Sequence, residues 1–417
     1  MNNKIINFFL NKGYLIFCPK TDTFGGFHES LLWALKIKKV KKLKIILNIP
    51  FISVHKRYKT FLQKSFGQKI LWSYLIKLSF REIIFSLLMT IIGNILILTV
   101  KLKLIFILNL IFRKKIDKLK FPFIGFGIRD EKSFDIFSED EIRYFLNEKV
   151  NLNAEKKPQN NQKIISFCVR DNNYSDNKQI SYFASANINN YSKALDHLIL
   201  KGYKIHRVGD KSMNSFIFKN ENFHDKSQRN EHFDALHSSI EKSEFYFGTS
   251  ASHGLIPDLY NVKKILTNNI DYIQSGTSSS YENFAIFKKV FSIKKKKILS
   301  IEEFFFDEDL FFLNLDDYIL KKEIILIENS PEEILETLKE FLIYENNFSK
   351  KSKQLTEYEE IRKNAINNYK RKNVRSLYIK MYENSKISIP EKFLNDYLFN
   401  SERLDEISSN FVKLNNI

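Results

Sequence analysis

Short apolar runs alternate with amphipathic segments along most of the chain. Near the start, Gly13–Cys18 and Leu43–Ile49 have the length of buried strands, and Glu29–Leu35 between them has helical spacing. The second half repeats this alternation with a longer series of elements. The predicted strands there are Ile164–Val169, Tyr203–Val208, Phe245–Phe247 and Val262–Thr267, and the clearest predicted helix is Asn190–Gly202. Because strands that alternate with helices form parallel sheets, this pattern predicts an α/β fold.

A polar stretch, Asn151–Gln162, interrupts the alternation with Pro158 and four asparagines, and it has no periodicity. Such a composition is typical of a linker. We therefore predict an N-terminal α/β domain over residues 1–150 and a C-terminal α/β domain over 160–345. Helical spacing continues beyond them and predicts a helical extension over 346–417. A chain of 417 residues is long enough for each domain to bury its own core.

One apolar segment stands apart from the strand and helix alternation. The run Ile83–Val100 has no charged residue, and Leu104–Phe112 continues it between basic flanks. Its length reaches the lower limit of a membrane span. A single span would put the two predicted domains on opposite sides of the membrane. The pattern therefore favours an insertion over 83–112 that lies in the cytoplasmic leaflet, while a buried helix pair and a true span stay open.

Composition and charge narrow the class of protein. A hydrophobic content of 44% with 14% aromatic residues indicates a globular fold. The formal charge of +18 is compatible with a nucleic-acid binder, but no recognition motif for nucleic acid accompanies it. The basic runs are also spread along the chain, at Lys36–Lys44, Arg113–Lys120, Lys288–Lys297 and Lys350–Lys353. We expect no specific nucleic-acid partner, and instead attraction to anionic lipid or nucleotide phosphates.

The two cysteines point to a reducing compartment. Cys18 and Cys168 lie in apolar runs, and neither has a Cys or His at metal-ligand spacing, so both are expected to be buried thiols. Met1–Leu10 does not have the pattern of a secretory signal. The acidic residues between Glu302 and Asp309 alternate with aromatics without a calcium-loop spacing, so no metal site is predicted.

Candidate ligand-binding residues follow three of the predicted strands. Parallel strands place their carboxyl ends at one edge of the sheet, where ligands bind. The candidates at this edge are Arg170, then Arg207 with Gly209, and then Gly248, Thr249, Ser250, Ser252 and Gly254. Small residues and hydroxyls between a strand and a helix favour an anion, and most often a phosphate. An ordinary strand-to-helix turn with a serine cap would explain the third group equally well.

The loop after the first strand holds a second set of candidates. Gly25 and Gly26 lie there, and they would bring the backbone close to an acceptor or form a tight turn. His28 follows and has an unperturbed pKa that suits a general base near neutral pH, although it could equally cap the helix that begins there. Asp22 in the same loop is the next candidate for a base.

The strand-end motifs, taken together, resemble a known family. Their order is Val169-Arg-Asp171, the Asn190-Tyr191 helix that ends in Lys201-Gly-Tyr203, Arg207-Val-Gly209, Phe247-Gly-Thr-Ser250 and Gly254-Leu-Ile-Pro257. Over roughly residues 160–275 this order is similar to a family of bacterial glycosyltransferases from surface-polysaccharide gene clusters. The resemblance implies the GT-B arrangement, in which two Rossmann-like domains face each other across a cleft.

The resemblance also implies a reaction. A nucleotide-sugar donor, which is a substrate and not a cofactor, would transfer its sugar to a surface-polysaccharide or lipid-linked glycan acceptor. Arg207 and the Gly248–Ser252 loop would hold the donor diphosphate in place of a metal, and a base from the N-terminal domain would activate the acceptor. The protein would work at the inner face of the cytoplasmic membrane.

The chain departs from the family at two positions. Ala184 and Asn187 stand where the family tends to carry an arginine and an aspartate, shortly before the helix that opens with Asn190. If the missing arginine contacts a donor phosphate in the family, donor use is altered here. A second hypothesis is therefore a non-catalytic, membrane-associated protein that binds a nucleotide or glycan and scaffolds polysaccharide assembly.

Overall fold

The structure is a computed structural model of the chain. The residues it describes are 11–17, 32, 35–36, 38–39, 42–47, 79–101, 163–173, 185–209, 212–227, 232–250, 252–270, 279–311, 323–344, 352–372, 379, 382–383 and 386–415. The chain divides into two compact units, Met1–Val150 and Asn151–Ile417.

The first unit contains a short parallel strand pair and a long helix. Strands β1 (Tyr14–Phe17) and β2 (Lys44–Leu47) pair in register from Tyr14 opposite Lys44. Helix α1 (Phe80–Lys101) packs on β2. Its start is fixed by Ser79, whose N–H donates to Glu82 Oε2 at 2.7 Å. Among the residues described, no helix combines the length and hydropathy that a membrane span requires.

The second unit is built on a sheet of seven parallel strands, with a smaller antiparallel sheet beside it. The strands are β3 (Ile164–Cys168), β4 (Lys204–Arg207), β5 (Phe223–Asp225), β6 (Phe245–Thr249), β7 (Lys263–Asn269), β8 (Ser279–Phe287), β9 (Lys289–Ser292), β10 (Lys297–Ile298), β11 (Ile324–Ile327) and β12 (Lys386–Ser388). The helices are α2 (Ser192–Leu200), α3 (His232–Glu241), α4 (Ile256–Tyr260), α5 (Ile301–Phe305), α6 (Glu308–Phe311), α7 (Pro331–Tyr344), α8 (Lys353–Arg371), α9 (Glu391–Phe393) and α10 (Ser401–Asn415).

The strand order of the large sheet is β12-β8-β7-β6-β3-β4-β5. Numbered from β3, the first six strands of this unit follow the order 3-2-1-4-5-6 of the Rossmann fold. The chain moves outward from β3 to β5, returns to β6 on the other side of β3, and then moves outward again. The α/β prediction is confirmed for this unit, and its topological switch point lies between β3 and β6.

Helices cover the sheet, and the core lies beneath them. Helices α2 and α7 pack against each other, as do α3 and α4. Phe341 of α7 meets the sheet between two strands, with ring centroids 5.1 Å from Phe245 and 5.4 Å from Phe284. These aromatic contacts bury large apolar areas, which is the main stabilising contribution expected for such a unit.

Two features differ from the sequence prediction. The residues after 345 were expected to be helical, yet Lys386–Ser388 forms β12 and pairs in parallel with β8. Its three residues are too short for a periodic signal. In addition, a second Rossmann-like domain is not shown, because the described part of the first unit consists mainly of the β1–β2 pair and α1.

Candidate functional site

The carboxyl ends of β3 and β6 lie side by side at the switch point. Phe167 pairs with Phe247 and Cys168 pairs with Gly248 in the parallel ladder. Beyond the ladder, the Arg170 N–H donates to Thr249 Oγ1 at 3.0 Å. Neighbouring connections leave in opposite directions at such a point and open a crevice outside the strand ends. The candidate site of the second unit is therefore this crevice.

Gly248 allows the two strands to approach this closely. Its φ is +149°, and a Cβ at this position would lie 1.9 Å from the Cys168 carbonyl oxygen. No side chain fits there. The sequence predicted that Gly248 ends the strand, which is wrong, because β6 continues through Gly248 to Thr249. The glycine is needed for close packing inside the ladder, and the loop begins only at Ser250.

The segment after Ser250 is less helical than the sequence suggested. A single 3₁₀ turn, Ser252–Leu255, precedes α4, which has only five residues. So short a helix has little macrodipole to offer an anion. Gly254 is buried here, and its carbonyl accepts a 3.4 Å hydrogen bond from Lys264 Nζ. Any anion binding at this loop must therefore depend mainly on hydroxyls, N–H groups and nearby cations.

Arg207 is fully enclosed at the end of β4. Its side chain is 1% exposed, and its guanidinium donates to Asp225 Oδ2 at 2.7 Å and to the Asn214 carbonyl at 2.6 Å. Its Nε–H has no acceptor among the residues described. Gly209 follows with φ +150°, where a Cβ would meet Met213 at 2.5 Å. In this arrangement Arg207 joins β4 to β5 and to the loop after β4.

Asp171 ties the end of β3 to the same loop. One carboxylate oxygen accepts from the Asn214 N–H at 2.6 Å, and the other accepts from the Asn173 N–H at 2.9 Å. Arg170 beside it is 8% exposed and buried against Thr249. Sequence reasoning placed Arg170, Arg207 and Thr249 at one sheet edge, and the structure places all three at that edge, although their use by a ligand stays a prediction.

A second polar cluster lies at the ends of β7 and β8. The Tyr191 hydroxyl lies 2.5 Å from Thr267 Oγ1 and accepts from Asn268 Nδ2 at 3.1 Å. Asn268 and Asn329 exchange reciprocal hydrogen bonds: each backbone N–H donates to the other side-chain oxygen, at 2.6 and 2.7 Å. All four side chains are buried, and burial raises the pKa of the Tyr191 hydroxyl. The cluster therefore acts as a neutral polar network.

Lys288 supplies a buried cation next to this cluster. It follows β8 and is 2% exposed, and its ammonium donates to the Ser185 carbonyl at 2.6 Å. Burial lowers the pKa of Lys288 to about 8, and the carboxylate of Glu328 opposes that shift. Glu328 itself accepts from the Asn187 N–H at 2.8 Å. The ammonium is thus held at the carboxyl edge of the sheet by the segment that precedes α2.

Asn187 has a clear local role. Its side-chain oxygen accepts from the Asn189 N–H at 3.0 Å and caps the 3₁₀ helix Ile188–Tyr191. An aspartate at this position could cap the helix in the same way. Asn187 therefore caps this helix without adding a negative charge. Ala184 lies outside the described residues.

Several candidates lie outside the part of the chain that the structure describes. Asp22, Gly25, Gly26 and His28 are among them, and the side chain of Ser252 is likewise not described. Across the described ranges, no group of three or more His, Cys, Asp or Glu side chains could hold a metal ion. Cys168 is buried as expected, and burial raises the pKa of its thiol to about 12.

Sequence reasoning missed the second cluster because its residues lacked a motif. Tyr191 entered the sequence analysis only as part of a helix start, and Asn268 lies just after the predicted strand Val262–Thr267 without any role assigned. The usable signal was that Asn268 lies near the end of β7 and that Lys288 directly follows the neighbouring strand β8. That signal requires knowing that β8 exists, and β8 was not predicted.

The described residues therefore define an α/β protein with one large parallel sheet of Rossmann-like order, and Arg170 and Thr249 meet at its switch point. Comparisons with protein-family models, with curated proteins and with solved structures find no match to this chain.

Proposed function

We propose that the protein is a glycosyltransferase that uses a nucleotide-sugar donor, with the donor diphosphate at the carboxyl edge of the large sheet. The observation that carries the proposal is the 3-2-1-4-5-6 strand order, whose switch point between β3 and β6 is lined by Arg170 and Thr249. The family resemblance over residues 160–275 supports the reaction class. The acceptor would be a surface-polysaccharide or lipid-linked glycan.

The charges at this edge suit a diphosphate. Arg170, Arg207 and Lys288 follow three strands of the sheet, and all are nearly buried. Cations in a low-dielectric setting stabilise a leaving nucleotide diphosphate more strongly than cations in water, which would serve in place of a metal. Asp171 bonds the loop after β4, Asp225 pairs with Arg207, and the Ser185 carbonyl holds Lys288. The anion would therefore meet a preorganised site.

Arg170 is the candidate for direct phosphate contact because of its position, since it follows β3 at the switch point. Arg207 already spends two of its five N–H donors on Asp225 and the Asn214 carbonyl, so it would position the loop and contribute its field. The predicted base stays His28, with Asp22 second. The GT-B arrangement of two domains also belongs to this proposal, since it rests on the resemblance.

A non-catalytic binding protein is the second candidate function. The observation that favours it is Asn187, which caps a helix where the family tends to have an aspartate. Loss of that carboxylate would leave nucleotide binding possible and remove a charge near the donor. Such a protein would scaffold polysaccharide assembly at the membrane instead of transferring sugar.

The test combines binding with turnover. UDP, GDP, CMP and dTDP are titrated in a melting assay, and sugar release is then measured from the sugar conjugate of whichever nucleotide binds. We expect one nucleotide to stabilise the protein, with slow sugar release. Arg170→Ala should weaken its binding by about 1.5–3 kcal/mol, the range for charge-assisted hydrogen bonds. Binding without any sugar release supports the scaffold, and no binding by any of the four overturns the glycosyltransferase proposal.

Arg207 needs a separate design because it is buried. Arg207→Ala removes the ion-pair partner of Asp225 and should lower the free energy of unfolding by about 3 kcal/mol. Arg207→Lys keeps the charge and loses the two-pronged geometry, so it separates stability from binding. Lys193→Ala is the matched control, because this lysine forms an exposed ion pair with Glu332 on the helical layer.

Unchanged nucleotide affinity in the folded Arg170→Ala variant would place the site elsewhere.

A further inference from the structure

Helix α1 presents an apolar face to solvent. Its large apolar side chains between Phe80 and Ile95 are 40% to 77% exposed. They are Phe80, Ile84, Phe85, Leu87, Leu88, Ile91, Ile92 and Ile95. At 3.6 residues per turn, Ile84, Leu88, Ile91 and Ile95 lie along the centre of this stripe. Such a contiguous apolar patch is unusual on a soluble surface and marks an interaction site.

The buried face of the same helix is polar. Glu82, Ser86 and Thr90 are four residues apart and are only 5%, 5% and 6% exposed. Ser86 Oγ donates to the Glu82 carbonyl at 2.6 Å. Burial acts to raise the pKa of Glu82, but hydrogen bonds from Ser79 and the charges of Lys38 and Lys44 hold it below its usual value. The helix is therefore inverted: its polar side faces the protein and its apolar side faces outward.

The net charge of the chain is concentrated in the unit that carries this helix. Residues 1–150 contain 27 Lys and Arg against 11 Asp and Glu, a formal charge of +16, whereas residues 151–417 contain 39 against 37, a charge of +2. The basic runs lie in both units, but most of the acidic residues that offset them lie in the second unit. Several cations of the first unit are exposed, namely Lys12, Lys39, Lys42, Lys44 and Arg81.

From these observations we infer that the outward face of α1 is a docking surface for an anionic lipid bilayer. The helix would lie in the plane of the membrane surface, with Ile84, Leu88, Ile91 and Ile95 among the acyl chains and its polar face on β2. An apolar stripe supplies insertion, and the exposed cations of the same unit supply attraction to acidic headgroups, which together give stable surface binding. This inference goes beyond sugar transfer, because it assigns a different unit of the chain a ligand of its own.

The charge distribution favours lipid over a second copy of the chain. Two first units that met through α1 would bring formal charges of +16 together, and like charges oppose such a contact. An anionic bilayer offers the opposite sign over a wide area. The apolar face and the excess of cations thus have one common partner.

Vesicle binding tests this assignment. The wild-type protein is co-sedimented with vesicles of phosphatidylcholine alone and of phosphatidylcholine mixed with phosphatidylglycerol. We expect binding to the mixed vesicles and much weaker binding to the neutral ones. Replacement of two central side chains, Leu88→Gln with Ile91→Gln, should weaken binding to the mixed vesicles at least about tenfold, because two apolar side chains no longer insert. What binding remains should fall as salt is added.

The matched control is Leu200→Gln with Ile343→Gln, which changes two exposed apolar side chains of the second unit. It should bind vesicles as the wild type does. Both variants should bind nucleotides unchanged, so failure here and failure of the donor site remain distinguishable. Equal vesicle binding by the α1 variant and the control, or no binding by the wild type, overturns the assignment.

Two other results would also overturn it. If the α1 variant converts a wild-type dimer to a monomer, a second copy covers the face; if it alone fails to fold, the protein itself covers it.

A further variant, Leu88→Trp, preserves apolar character and needs no polar substitution. Brominated acyl chains should quench the tryptophan fluorescence of this variant more strongly than that of the wild type. Absence of added quenching in protein that does sediment with vesicles would show that another surface binds lipid.

Discussion

At the scale of single residues, Gly248 sets how closely β3 and β6 can approach. Its φ of +149° lies in a region that side chains rarely adopt, and the Cys168 carbonyl occupies the space of a Cβ. The switch-point crevice begins one residue later, so the position of Thr249 depends on this contact. The same residue therefore determines local stability and the geometry of the site.

Gly248→Ala should be strongly destabilising. The added methyl group would lie 1.9 Å from a backbone oxygen, and backbone atoms cannot move aside as a flexible side chain would. We expect a loss of about 3 kcal/mol or more in the free energy of unfolding, measured by chemical denaturation. Gly254→Ala is the control, because its nearest neighbour would be 3.8 Å away. Similar stabilities for the two variants would contradict the close packing described.

Residue identity was easier to predict than residue role. Sequence spacing singled out Arg170, Arg207, Gly248 and Thr249, and the structure puts them at one sheet edge. The ion pair between Arg207 and Asp225 could not be foreseen, because it depends on β5 lying next to β4. Likewise, the small residues that suggested a loop belong in part to a strand, since a local pattern does not reveal which backbone lies alongside.

At the scale of elements, the reciprocal pair Asn268–Asn329 joins the end of β7 to the loop before α7. Asn268 has φ +53°, which asparagine tolerates better than most residues. Asn329 Nδ2 also donates to the Phe287 carbonyl at 2.8 Å. The side chain of Asn329 thus connects β7, β8 and the start of α7.

Asn329→Ala should loosen this junction. The change removes the side chain that accepts from the Asn268 N–H and donates to the Phe287 carbonyl, and each buried hydrogen bond lost without replacement costs about 1–3 kcal/mol. We expect thermal or chemical unfolding to show a loss of about 2–4 kcal/mol. Asn190→Ala provides the comparison, because its hydrogen bond to the Asn329 carbonyl is long, at 3.3 Å. A loss below 1 kcal/mol in Asn329→Ala would mean that solvent replaces both bonds.

Elements with a clear period were predictable, and short ones were not. The strands β3, β4 and β6 and the helix α2 lie where the apolar pattern put them. The strands β5 and β12 have three residues each and are defined by their neighbours, so propensity alone does not reveal them. The strand β8 has nine residues, but its polar and apolar residues do not alternate regularly, so the sequence did not reveal it or the Lys288 cluster beside it.

At the scale of the whole molecule, global stability should respond to alkaline pH through Lys288. Its folded pKa is about 8, below the value of about 10.4 for an exposed lysine. Between these values the unfolded chain holds the proton more firmly than the folded one, so the free energy of unfolding rises with pH across this window. Below pH 8 both states are charged, and the folded protein carries the full cost of the buried charge.

The measurement compares wild type with Lys288→Met from pH 7 to about pH 11. The difference between their free energies of unfolding should shift in favour of the wild type as pH rises, by at most about 3 kcal/mol. The tyrosines and the remaining lysines titrate in both proteins, so their contributions to the free energy of unfolding cancel in the difference. A flat difference across the window would show that Lys288 has an ordinary pKa.

The division of the molecule into two units follows the polar stretch that the sequence contains, with the boundary at Val150 and Asn151. The strand order of the second unit was beyond sequence reasoning, because parallel neighbours are far apart in the chain. The orientation of α1 was also hidden. An uncharged run indicates that a helix is apolar, but it does not show which side faces the protein.

The large sheet ends in a short strand on each side, and this bears on how the protein behaves when concentrated. Both outer strands, β5 and β12, have three residues, and the pairing of β12 with β8 shifts register between Lys386 and Ser388. A long, flat outer strand would offer unpaired N–H and carbonyl groups to another chain, whereas short and irregular ones offer few. The seven-stranded sheet is thereby protected from edge-to-edge growth into fibrils.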